Sequence, residues 1–91
     1  EGRQIALVSD SGTPGISDPG FNIIRLAVEK NIPITVIPGP CALIAGLVHS
    51  GMPTDSFVFH GFLSPKGAKR RRQLGILKEG RRTIILYESP H

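Results

Sequence analysis

Ninety-one residues with 40% hydrophobic and 20% charged side chains, 11 glycines and 8 prolines describe a folded α/β chain with many tight turns and exclude a disordered tract. No apolar run reaches membrane-spanning length, so no membrane partner is expected, and one cysteine excludes an internal disulfide, which makes a cytoplasmic setting the expectation. The net charge of +4 is unevenly placed: residues 1–45 carry three Lys/Arg against four Asp/Glu and residues 46–91 eight against three, so a polyanionic partner is expected for the second half.

In chain order, Ile5-Ala6-Leu7-Val8 is a short continuous apolar run, the pattern of a strand covered on both faces of a parallel sheet. It breaks into a loop punctuated by Gly12, Pro14, Gly15, Pro19 and Gly20, where five small polar side chains (Ser9, Asp10, Ser11, Thr13, Ser17) crowd together. In open α/β sheets ligands lie outside the carboxyl ends of strands, and this loop has that place. Its sequence fits neither GxGxxG nor GxxxxGK[ST], which removes the dinucleotide and P-loop readings.

Asp18–Lys30 follows as an amphipathic helix with Ile23, Ile24, Leu26 and Ala27 on its apolar side, Ser17 or Asp18 as N-cap, and Asn31 as its end. Ile34-Thr35-Val36-Ile37 is a second strand of the buried kind, stopped by Pro38-Gly39-Pro40. Consecutive parallel strands are usually neighbours, so Ser9–Asp18 and Pro38–Cys41 are expected side by side. Cys41–Ser50 reads as a buried apolar helix closed by Gly51, and Gly51–Asp55 as a linker.

Phe57–His60 is the third strand, Ser64-Pro65 a helix start, Lys66–Glu79 a helix with Leu74, Ile76 and Leu77 inward, and Thr83–Tyr87 the last strand. The alternation predicts an α/β fold, a mainly parallel sheet with flanking helices. A chain that opens almost at one buried strand and closes just after another is expected to be an internal fragment. Its parts are residues 1–52, the carboxyl-terminal part of a first domain, and 53–91, the start of a second.

Within this frame Cys41 has two readings, nucleophile or buried packing, and the absence of a base within sequence reach favours packing. His49, His60 and His91 have no metal-ligand spacing with one another or with Cys41. Lys66, Lys69, Arg70, Arg71 and Arg72 form a basic run with no acid between Asp55 and Glu79; the alternatives are a solvated helix face and phosphate contact, and the missing acids favour phosphate contact. Tyr87-Glu88-Ser89-Pro90-His91 at a strand end is either part of a crevice or a plain turn.

Five blocks taken together, residues 8–20, Ile37–Ala42, Gly51–Asp55, Phe59–Leu63 and Tyr87–His91, resemble the tetrapyrrole (corrin/porphyrin) methylase superfamily, and within it the small-subunit ribosomal RNA methyltransferases. The resemblance covers essentially the whole chain in order. It implies S-adenosylmethionine as cofactor, 2′-O-methylation of a cytidine in small-subunit ribosomal RNA by the full-length parent, and a homodimer. Carried over by position, Ser9, Asp10, Ser11, Gly12, Thr13, Pro14 and Ser17, with Pro38, Gly39, Pro40, Cys41 and Ala42, are the implied donor-binding residues.

No catalytic base is assigned: His60 stands where the family commonly has an acid, and Ser11 where it often has Ala. The family's amino-terminal strand and most of its second domain are missing, so the fragment alone is expected to bind the donor weakly or not at all. Two other functions are compatible with the residues, a methylase of tetrapyrrole or corrin precursors and a non-catalytic nucleic-acid-binding module.

Overall fold

The computed structural model describes residues 2–9, 12–17 and 20–90. They belong to two compact units, Glu1–Cys41 and Ala42–His91.

In the first unit the helix α1 spans Phe21–Glu29, inside the predicted 18–30. Its N-cap is Gly20, with no side-chain cap, in place of the expected Ser17 or Asp18 (Asp18 lies outside the described residues). Gly20 has φ +122°, and a Cβ built on it would sit 2.6 Å from Leu7 Cδ2, so this entry turn needs glycine for both conformation and space. At the other end Asn31, at φ +55°, closes α1 as predicted: its N–H donates to Val28 O and the Ile32 N–H to Ala27 O, the paired bonds of a Schellman ending. Arg25 and Glu29 form an exposed i,i+4 ion pair at 3.1 Å.

The two strands expected here are not formed. Residues 5–8 and 34–37 lie outside regular structure, with Ile5 87% and Val36 70% exposed. A strand exists through hydrogen bonds to a neighbour, and a β-branched apolar run shows only that a segment can fill a sheet. Among the described residues of this unit no strand supplies those bonds.

The second unit opens with α2, Ala42–Ser50. After the Gly51–Asp55 turn come β1 (Phe57–Phe62), α3 (Gly67–Lys78) and β2 (Thr83–Tyr87), a strand–helix–strand unit whose strands pair in parallel as the alternation predicts. The register runs Phe57 to Thr83, Val58 to Ile84 and Phe59 to Ile85, then resumes at Gly61 to Leu86 and Phe62 to Tyr87. His60 is therefore an extra residue in β1, and Gly61, buried and at φ +78°, accommodates the bulge.

Helix α2 packs on β2 through Leu43 and Leu47, one i,i+4 stripe, and these two are the buried apolar side chains of the described residues. The expectation of a fully buried helix is corrected: Ile44 and Val48 are exposed, because a two-stranded sheet covers one face of a helix and no more. At the start of β2 the buried Thr83 donates its hydroxyl to Pro53 O at 2.7 Å, tying the Gly51–Asp55 turn to the strand. Gly51, at φ +73°, ends α2 as predicted.

In α3 the N-cap is Lys66. Ser64, the expected cap, accepts the Lys66 N–H at 3.2 Å and so closes the turn just before the helix. The inward face carries Gln73 and Leu77, both half-buried. Leu74 and Ile76 are exposed, so only Leu77 of the three predicted inward residues packs. Gln73 is anchored by the Ser64 N–H, 2.8 Å from its Oε1, a polar contact that takes the place an apolar side chain was expected to fill.

The boundary between the two compact units falls at Cys41/Ala42. The expected division into residues 1–52 and 53–91 concerns the domains of a longer protein.

Candidate functional site

The two loops expected to meet do so within the first unit. Thr13 Oγ1 donates to Gly39 O at 3.5 Å, and Ser9 Oγ donates to Gly12 O at the same distance. Both bonds are long, so they align the loops more than they lock them. A Cβ built on Gly12 would lie 3.4 Å from Pro40 O, and one on Gly39 would lie 3.6 Å from Gly12 O. Backbone faces backbone at this crossing, where a Cβ on either glycine would be in ordinary contact distance; it is the φ of +76° that favours glycine at position 12.

Of the proposed donor residues, Gly12, Thr13, Gly39 and Pro40 are thus brought together. Thr13 and Pro14 are half-buried, whereas Ser17, at φ +48°, and Pro38 are exposed. Cys41, half-buried with a free thiol, ends this unit and Ala42 begins α2 in the next. Asp10 and Ser11 lie outside the described residues. The described set offers three hydroxyls, of Ser9, Thr13 and Ser17, with backbone carbonyls and a glycine-lined crossing, chemistry that fits a polar small molecule held against main chain.

The basic run lies on α3. Lys69, Arg70, Arg71 and Arg72 occupy successive exposed positions of the helix, with Lys66 at its N-cap, and no carboxylate of the described residues pairs with them. Helical geometry turns them about 100° apart, so they cannot form one stripe. Gln73 and Leu77 mark the packed side; Arg70 lies above that side, while Arg71 and Arg72 project from the free flanks.

Sequence reading left the role of Tyr87 open, and the structure gives it partners. Its hydroxyl accepts the Leu43 N–H of α2 at 3.0 Å, and its ring meets Phe59 and Phe62 edge to face at centroid distances of 4.9 and 5.8 Å. The signal that could have found it is the loop before α2: Pro38-Gly39-Pro40-Cys41 offers no Ser, Thr, Asp or Asn to cap the helix locally. Glu88 turns back on its neighbour, accepting the Ser89 N–H at 3.1 Å, and His91 lies outside the described residues. A cleft of about 340 Å³ runs along α2 and β2, bordered by Leu43, Leu47, Met52, Thr83 and Tyr87. No helix of the described residues is long and apolar enough to cross a membrane.

A family model described as tetrapyrrole (corrin/porphyrin) methylases matches residues 1–91. A protein of Synechocystis sp. named ribosomal RNA small subunit methyltransferase I is 57% identical over 90 residues, which cover 99% of this chain and 32% of that protein. Proteins of the same name from Pseudomonas aeruginosa and Escherichia coli O157:H7 are 51% and 47% identical, over 99% and 100% of this chain and 32% of each relative. The chain therefore spans about a third of the length of these relatives.

Proposed function

The chain belongs to the tetrapyrrole (corrin/porphyrin) methylase family, and from that premise we propose that it is the donor-binding and RNA-facing segment of a methyltransferase that uses S-adenosylmethionine to methylate the 2′-hydroxyl of a cytidine in small-subunit ribosomal RNA. The observation that carries this reading is the crossing of the loops at Gly12–Thr13 and Gly39–Pro40, in a chain whose relatives bear a ribosomal RNA methyltransferase name along its whole length. Ser9, Asp10, Ser11, Gly12, Thr13, Pro14 and Ser17, with Pro38 to Ala42, hold the donor in this reading. Lys66, Lys69, Arg70, Arg71 and Arg72 meet RNA phosphates.

When bound, the donor supplies a methyl group already activated on a sulfonium. The protein's share is then to align a ribose hydroxyl with it and to accept one proton. Residues 1–52 close a donor-binding first domain and residues 53–91 open a substrate-side second domain. A homodimer and a cytoplasmic setting belong to the same reading.

The test is transfer of labelled methyl from S-adenosylmethionine by the full-length protein to isolated small-subunit RNA, with a tetrapyrrole precursor offered in parallel. Label recovered as 2′-O-methylcytidine is the expected outcome. Label in the tetrapyrrole, or in no acceptor, overturns the reading.

A further inference from the structure

The first turn of a helix presents N–H groups that no intrahelical carbonyl can accept. In α2 the usual local remedy is missing, since Pro38-Gly39-Pro40-Cys41 contains no capping side chain and the first turn contains no acid. One of these donors, the Leu43 N–H, is accepted by a residue 44 positions away, Tyr87 at the end of β2. A nine-residue helix with Gly46 at its middle is marginal in isolation, so the order of its first turn depends on that contact.

The phenol that supplies the contact is itself fixed. Phe59 and Phe62 each meet the ring edge to face, and both come from the strand that β2 pairs with. Phe62 reaches it because the bulge at His60 resets the register to Phe62 opposite Tyr87. The hydroxyl thus has a set position, decided by the sheet, from which to hold the helix end.

We infer that Tyr87 is a positioning residue for methyl transfer: by accepting the Leu43 N–H it fixes the first turn of α2 and so holds Ala42, the residue directly before Leu43, in place as part of the donor site. The inference rests on the donor-binding reading of Ala42 given above. It goes beyond that reading by assigning donor affinity to a strand-end hydroxyl that does not touch the donor. A turn that is ordered before binding spares the donor the cost of ordering it, and that difference appears in donor affinity rather than in the chemical step.

The experiment uses the full-length protein with Tyr87→Phe, which keeps both ring contacts and removes the hydroxyl alone. Calorimetry with S-adenosylmethionine is expected to show donor affinity weakened about fivefold, the size of one lost hydrogen bond, with kcat at saturating donor within about twofold of the parent and RNA affinity unchanged. A lowered melting temperature with unaltered donor affinity overturns the inference and leaves Tyr87 a structural residue. A parent protein that binds no donor overturns the donor-site reading itself, so the two failures are told apart. Should the variant not fold, amide exchange on the parent decides: saturation with donor is expected to slow exchange at Leu43, and an unchanged rate overturns the inference.

Discussion

Replacing Arg71 and Arg72 by Gln in the full-length protein removes the two arginines of α3 that project from its free flanks while leaving the packed side, Gln73 and Leu77, untouched. They lie about 100° apart on the helix, close enough for both to meet one backbone but not one phosphate. Two phosphates lost from a single-stranded RNA contact reduce the slope of log affinity against log salt by about 1.4. Between 50 and 200 mM salt the parent's advantage over the variant should therefore shrink about sevenfold. Filter binding or fluorescence anisotropy with a small-subunit RNA fragment over that salt range measures both quantities, and donor affinity is the control, expected to be unchanged. Arg70→Gln alone should have a smaller effect on the slope, because that position lies over the packed side. Equal slopes for the parent and the Arg71/Arg72 double variant would refute the phosphate assignment and leave the run a solvated face, with RNA held elsewhere.

Thr83→Val keeps the shape of a buried residue and removes its bond to Pro53 O, and because that carbonyl belongs to an exposed turn that water can reach, a loss of about 1 kcal/mol is expected; urea unfolding should show a lower midpoint at unchanged slope. Gly20→Ala forces a side chain into φ +122° and against Leu7, and a destabilisation of about 1–3 kcal/mol is expected from the same assay. Leu47→Ala empties part of the stripe that joins α2 to β2 and should cost about 2–3 kcal/mol, the low end for a core leucine because one flank of α2 is open to water that can fill the space; thermal unfolding checks it.

The helices and their ends were legible in the sequence wherever the signal was local. Asn31 after α1 and Gly51 after α2 each specify a left-handed residue, and both are found in that conformation. The pairing of β1 with β2 was legible from alternation alone, since two strands joined by a helix carry their partners within one stretch. Ile5–Val8 and Ile34–Ile37 were not, because a strand's identity resides in its neighbour and neither run meets one among the described residues. Gly20 as N-cap was missed because the capping preference pointed to Ser17 and Asp18, while the space beside Leu7 is a tertiary fact. The two loops lie together as expected, with Thr13 bonded to Gly39, but the ground for expecting it, a pair of adjacent parallel strands, is absent among the described residues of that unit. The bond from Leu43 to Tyr87 joins residues that no periodicity relates, and only a search for what caps α2 leads to it.

Strand β2 holds both ends of α2: Tyr87 takes the N–H of Leu43 at one, and Thr83 ties down Pro53 just past the other. From Thr83 to Tyr87 the strand advances four steps, about 13 Å, and from Ala42 to Ser50 α2 advances eight steps, about 12 Å. The two rods are commensurate, so each works as a gauge for the other. A single residue inserted into β2 would move one anchor by about 3.3 Å, while the same insertion in α2 would lengthen it by about 1.5 Å and turn it by about 100°; neither error can be corrected by its partner. Substitutions along either element alter one contact at a time, but insertions and deletions between residues 42 and 53 or between 83 and 87 break the match of lengths, and this part of the chain should accept the first kind of change far more readily than the second.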